Sequence, residues 1–124
     1  MSLYESGQMY LETIYVLSPQ HNYVRAIDVS EHMGYSKPSV SRAVSTLKKD
    51  GYISVSEDGA LKLTDKGLEV ARSMYERHTV LSSLLMRLGV DEETATEDAC
   101  RMEHVISEKT FDALKAYLDK FKAE

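Results

Sequence analysis

Apolar residues recur with a helical period along most of the chain and with a twofold period in one short stretch. In residues 5–17, Tyr10, Ile14 and Leu17 fall at i, i+4 and i+7, with Leu11 widening the stripe, which predicts an amphipathic helix. Ser18 to Asn22 reads as a loop, because Pro19 disfavours helix at the residue before it and Asn22 suits a turn. A second helix is predicted over 26–33, with Ala26, Val29 and Met33 on one face and Gly34 closing it. Ser36 then caps a third helix over 37–50, in which Val40, Val44 and Leu47 repeat the spacing before Gly51. The period now changes. Ile53 and Val55 alternate with serines, Leu61 and Leu63 flank Lys62, and Glu57-Asp58-Gly59 between them is a hairpin signal. Thr64 or Asp65 starts a long helix to about Leu88, with Leu68, Ala71, Tyr75, Leu81, Leu84, Leu85 and Leu88 apolar and Gly89 at its end. Asp91 caps a helix through about Ile106 with an acidic first turn, as the helix dipole favours. Ser107 caps a last helix bearing Phe111, Leu114, Leu118 and Phe121.

Helix, short turn, helix and hairpin is the order of a winged helix-turn-helix. The fold class predicted is therefore mainly α: a winged helix-turn-helix domain over 1–72, followed by an all-helical domain over 73–124. At 124 residues and 43% hydrophobic, the chain suits a compact core with a helical arm, and neither disorder nor two large domains. No run approaches the roughly 18 apolar residues of a membrane span. The N-terminus carries neither a basic nor an apolar leader region, and the single cysteine cannot staple the chain, so a cytoplasmic location is expected.

A net charge of -5 argues against a general coater of nucleic acid. The acidity is uneven, however. Residues 22–72 hold eight Lys/Arg against seven Asp/Glu, and residues 73–124 hold seven against eleven. The first half can therefore still meet phosphates, and double-stranded DNA read by sequence is the partner expected. The polar face of the third helix offers Ser36, Lys37, Ser39, Ser41, Arg42 and Thr46, with Pro38 in its first turn and Lys48 and Lys49 at its end. Arg42 suits a guanine edge, and hydroxyls suit bases or phosphates. Arg25, just ahead of the second helix, joins these candidate contacts. The competing reading of the same helix pair and hairpin is a protein-interaction module.

Cys100, Glu103 and His104 fall at i, i+3 and i+4, so a helix through Ile106 would present all three on one face. Thiolate, carboxylate and imidazole together suit a divalent transition metal. Met9 and Glu12 are i, i+3 neighbours on the first helix, and His78 lies on the long one. Taken singly, Met9 is core filler, Glu12 solvated, His78 a packing histidine and Cys100 a small buried residue.

Five runs bear a resemblance: Met9 to Tyr15, Ser36 to Ser41, Leu63 to Gly67, Arg77-His78, and Asp98 to Ser107. With them the whole chain resembles the diphtheria toxin repressor and manganese transport regulator family of metal-dependent repressors, in a short two-domain form without the SH3-like third domain. The resemblance implies a helical dimerisation domain, a homodimer, and metal bound near the domain junction. It implies that Met9, Cys100, Glu103 and His104 stand at the ligand positions of the iron-sensing branch. Glu12 and His78 match ligands of the manganese branch, which has aspartate at position 9 and glutamate at position 100. His78 also matches an ancillary ligand of the iron branch, whereas Ser82 and Thr96 replace two others. Sulfur donors favour metals softer than Mn²⁺, so Fe²⁺ is the expected co-repressor, with Mn²⁺, Zn²⁺, Co²⁺ and Ni²⁺ as alternatives. A metal joining Met9 and Glu12 to the Cys100 group would control the spacing of two recognition helices, which must match major grooves about 34 Å apart. The alternatives are a metal-independent winged-helix regulator and a thiol sensor acting through Cys100. An enzyme is not expected, since no second positioned base and no oxyanion-type glycine loop accompanies the cluster.

Overall fold

A computed structural model describes residues 5–21 and 23–122. The elements are α1 (Glu5–Leu17), α2 (Ala26–Met33), α3 (Lys37–Lys49), β1 (Ile53–Val55), β2 (Leu61–Leu63), α4 (Asp65–Arg87), α5 (Glu92–Met102) and α6 (Glu108–Lys122). Two compact units, Met1–Arg72 and Ser73–Glu124, divide inside α4. Of the expected first loop, Asn22 lies outside the described residues.

In the first unit, three helices and the hairpin close over Leu11, Ile14, Val29 and Val40, all of them at most 1% exposed. These are positions that the helical periods select. Each burial of such a side chain contributes about 1.5–3 kcal/mol against leaving it exposed. Gly34 turns the chain between α2 and α3 at φ 72, a left-handed conformation that a Cβ would oppose. Ser36 caps α3 by accepting the Ser39 amide hydrogen at 3.3 Å. The hairpin is antiparallel, with Ile53 opposite Leu63 and Val55 opposite Leu61, and Val24 adds an isolated bridge to Leu61.

Thr64 resolves the start of α4. Its Oγ accepts from the Gly67 amide at 3.2 Å and donates to the Gly51 carbonyl at 2.7 Å, which fastens the base of the wing. Gly67 follows from the same packing. A Cβ there would lie 2.0 Å from the Tyr52 carbonyl oxygen, so only glycine allows the close approach.

In the second unit, Val80 and Leu84 of α4 pack with Phe111 and Leu118 of α6, joined by Ile106 and Leu114. Asp91 caps α5 by accepting the Thr94 amide hydrogen at 2.9 Å, and that bond holds its carboxyl below the usual carboxylate range. Two of the apolar positions expected on α4 and its end are exposed: Tyr75, and Leu88 at 78%. The end of α5 corrects the sequence reading. The helix stops at Met102 and not at Ile106, because Ser107 already caps α6, accepting from the Thr110 amide at 3.1 Å. An N-cap takes an extended backbone, so the chain must leave the helix before it. Glu103 to Ile106 form a turn in which the Val105 amide returns to the Met102 carbonyl at 3.1 Å.

Candidate metal centre and nucleic-acid interface

The candidate reading face comes from neighbouring residues of α3. Val40 and Leu47 face the core, which leaves Lys37, Ser41, Arg42, Thr46, Lys48 and Lys49 exposed on the other side. Three of the polar groups are already linked. The Ser36 hydroxyl donates to the Ser39 hydroxyl at 2.9 Å, and Arg42 donates to the same Ser39 oxygen at 3.3 Å. The Arg42 guanidinium is thus oriented before any partner arrives, which reduces the entropy lost on binding. Thr46 turns its hydroxyl back to the Arg42 carbonyl at 3.1 Å. Pro38 occupies the first turn, where its missing N–H costs nothing.

Arg25 stands apart from this helix. Its guanidinium donates to the Asp58 carbonyl at 3.3 Å and lies 3.6 Å from the Asp58 carboxylate at the wing tip. The Ser56 hydroxyl, first, and then Arg25 among weaker causes hold that carboxyl below its ordinary range. An arginine expected to meet DNA is therefore engaged by an acidic wing tip, a contact that sequence reasoning passed over. Asp58 was visible there only as a turn residue.

The second candidate group lies in the second unit. Glu103 is fully buried, and its carboxylate meets two imidazoles: His78 Nδ1 at 3.0 Å and His104 Nε2 at 3.1 Å. Its hydrogen bond to the Glu103 carboxylate raises the His78 pKa above the ordinary histidine value, and partial burial opposes this. Donor atoms of His78, Cys100 and Glu103 all lie within 4.8 Å of one another. A buried carboxylate is costly unless a positive charge accompanies it, and a thiolate, carboxylate and imidazole at this spacing match a divalent transition metal. The donor set fits.

The single helical face expected for these residues is not what forms. Cys100 is in the last turn of α5, Glu103 is its cap, and His104 follows in the turn. His78 arrives instead from α4, 25 residues away along the chain, which no local spacing signals. Met9 and Glu12 are half-buried on α1 of the first unit. Arg77, singled out in the sequence only as part of the Arg77-His78 run, makes contacts that no spacing signalled. Its Nη1 donates to the main-chain carbonyls of Glu103 at 3.0 Å and Ile106 at 2.8 Å.

Comparison with known proteins gives the chain a family. Residues 2–61 match the family model described as the iron dependent repressor, N-terminal DNA binding domain. Residues 64–124 match the iron dependent repressor, metal binding and dimerisation domain. The chain belongs to this family. Its members are metal-dependent DNA-binding transcriptional regulators, and the fold, a winged helix-turn-helix followed by helices, agrees with a DNA-binding domain followed by a metal-binding and dimerisation domain. An HTH-type transcriptional regulator of Methanocaldococcus jannaschii is 30% identical, over 95% of this chain and 96% of its own. The diphtheria toxin repressor of Corynebacterium glutamicum is 32% identical over 94% of this chain, which spans 52% of that protein. Among solved structures, the manganese regulator SloR superimposes with a TM-score of 0.82 at 28% identity, covering 96% of this chain and 55% of SloR. The chain thus spans about half the length of two of these relatives.

Proposed function

We propose that this chain is a metal-gated repressor that binds a DNA operator as a homodimer, with Fe²⁺ favoured over Mn²⁺ as co-repressor. The observation that carries the reading is the buried Glu103 carboxylate between two imidazoles, with the Cys100 thiol in reach of His78 and Glu103. His78, Cys100, Glu103 and His104 hold the metal, joined by Met9 and Glu12 on the strength of the family resemblance. Cys100 and Met9 supply sulfur, which favours a metal softer than Mn²⁺. Bound metal supplies the positive charge that lets the thiolate, the carboxylate and the imidazoles share one site in their deprotonated forms.

The chain's own residues do the recognition. Arg42 reads a base edge, the α3 hydroxyls and Lys37 contact DNA, and Arg25 meets phosphate once Asp58 releases it. By the family resemblance, which implies ligands on α1 as well, metal occupancy biases how α3 of each protomer is presented. Metal then works by binding the DNA-competent arrangement more tightly than the other. The exposed apolar side chains of the second unit, Leu88, Val105, Tyr117 and Met86, suit a surface covered by a second copy. Among the described residues, no helix is long and apolar enough to cross a membrane.

Operator binding measured with added Fe²⁺ or Mn²⁺, and with chelator, tests the proposal. Metal is expected to raise operator affinity by at least tenfold, about 1.4 kcal/mol. Equal affinity under all conditions returns the protein to a metal-independent regulator. Metal analysis of protein purified without oxygen decides between iron and manganese.

A further inference from the structure

Arg77 and His78 are consecutive on α4, and both engage the same residue of the turn after α5. His78 meets the Glu103 carboxylate at 3.0 Å, while Arg77 meets the Glu103 carbonyl at the same distance. The second bond of Arg77, to the Ile106 carbonyl at 2.8 Å, leaves from the same Nη1 nitrogen. That nitrogen carries two hydrogens, so each carbonyl takes one. The guanidinium also lies over the Phe111 ring of α6, 5.3 Å from its centroid. One side chain therefore ties α4, the turn and α6 together.

The turn needs such a tie. α5 ends at Met102, and carbonyls at a helix end have no partner within the helix. The segment they belong to carries Glu103 and His104, so any slack in it moves two candidate ligands at once. Ligand groups must be held to roughly 0.5 Å for a productive site. An arginine suits the task because its planar fork stays charged and keeps its donors in fixed directions.

We propose that Arg77 is a positioning residue for the metal centre. Its two main-chain hydrogen bonds set where the Glu103 carboxylate stands relative to His78 and Cys100, and so how tightly a divalent cation is held. The proposal rests on the metal reading above.

Co²⁺ titration of the full chain tests it, followed by the visible bands of the bound ion and the thiolate-to-metal band. Arg77→Met is expected to bind Co²⁺ about 10–100-fold more weakly, with shifted visible bands, as for residues that support ligands elsewhere. Arg77→Lys keeps donors without the planar fork and falls between Arg77→Met and the unaltered chain. Leu118→Val thins the α6 core and lowers thermal stability, yet keeps the affinity and spectrum of the unaltered chain. Arg77→Met with unaltered affinity and bands overturns the proposal, as does equal weakening in Leu118→Val at a matched loss of stability. Cys100→Ser separates this outcome from failure of the centre itself. Unchanged Co²⁺ binding in Cys100→Ser, with no thiolate band in the unaltered chain, removes the metal reading and Arg77's role with it. Impaired Cys100→Ser beside normal Arg77→Met removes the role of Arg77 alone.

Discussion

The two candidate sites of this protein are built in opposite ways. On α3, Lys37, Ser41 and Arg42 are exposed, close in sequence and carried by a helix whose other face is core. In the second unit, Glu103 is solvent-free and its partners come from α4 and from both sides of the end of α5. An exposed polar face can change without disturbing the core, so its substitutions report on binding. A buried carboxylate is coupled to folding, so its substitutions report on both. The wing lies between these cases, since it is exposed but fastened at its base by Thr64 and Gly67.

Glu103→Gln should break the contrast most severely. It preserves volume but removes the charge that His78 and His104 share, and metal affinity should fall by more than about 100-fold, beyond the loss typical of supporting residues. Calorimetric or spectroscopic metal titration measures this, and operator binding should then ignore metal. Gly67→Ala should cost the first unit about 3 kcal/mol, because the Tyr52 carbonyl must move, and a denaturation curve gives the value.

Arg42→Ala should cost about 2 kcal/mol of operator affinity with no change in melting temperature, read by fluorescence anisotropy. A fall in melting temperature would show that the α3 face is not independent of the core. Asp58→Asn should act in the other direction. Freeing Arg25 adds one phosphate contact, so the dependence of log affinity on log salt should steepen by about 0.9, with a modest gain in affinity.

The smallest effect expected is that of pH on the apo protein. The folded pKa of His78 is raised, so its pairing with Glu103 stabilises fully below the unfolded value of about 6.5. That contribution is lost as pH rises through the folded pKa. Metal binding should run the opposite way, strengthening as His78 loses its proton. Melting temperature against pH in chelator should therefore show a decline that His78→Gln lacks.

Local chemistry accounts for what could be read early. The helical periods of Tyr10, Ile14 and Leu17 and of Val40, Val44 and Leu47 require only that one side of a helix be buried, and α1 and α3 form where they indicate. The twofold pattern around Asp58-Gly59 likewise carries its own turn. The cluster around Cys100 was legible as a group of donors, because thiol, carboxylate and imidazole stand close together in sequence. Its form was not. The early end of α5 reflects Ser107 capping the next helix, and one helical face could not then hold all three donors.

By itself, then, the sequence determined the elements, the winged-helix order, the polar face of α3 and the grouping of Cys100, Glu103 and His104, since each depends on spacing within one or two turns. Tertiary structure alone decided that His78 meets Glu103, that Arg77 holds the turn, and that Asp58 engages Arg25. Those pairs lie 25, 26 and 33 residues apart, where no helical or strand period relates one side chain to the other. Only the folding of the turn after α5 against α4, and of the wing tip against Arg25, brings such groups within hydrogen-bonding range.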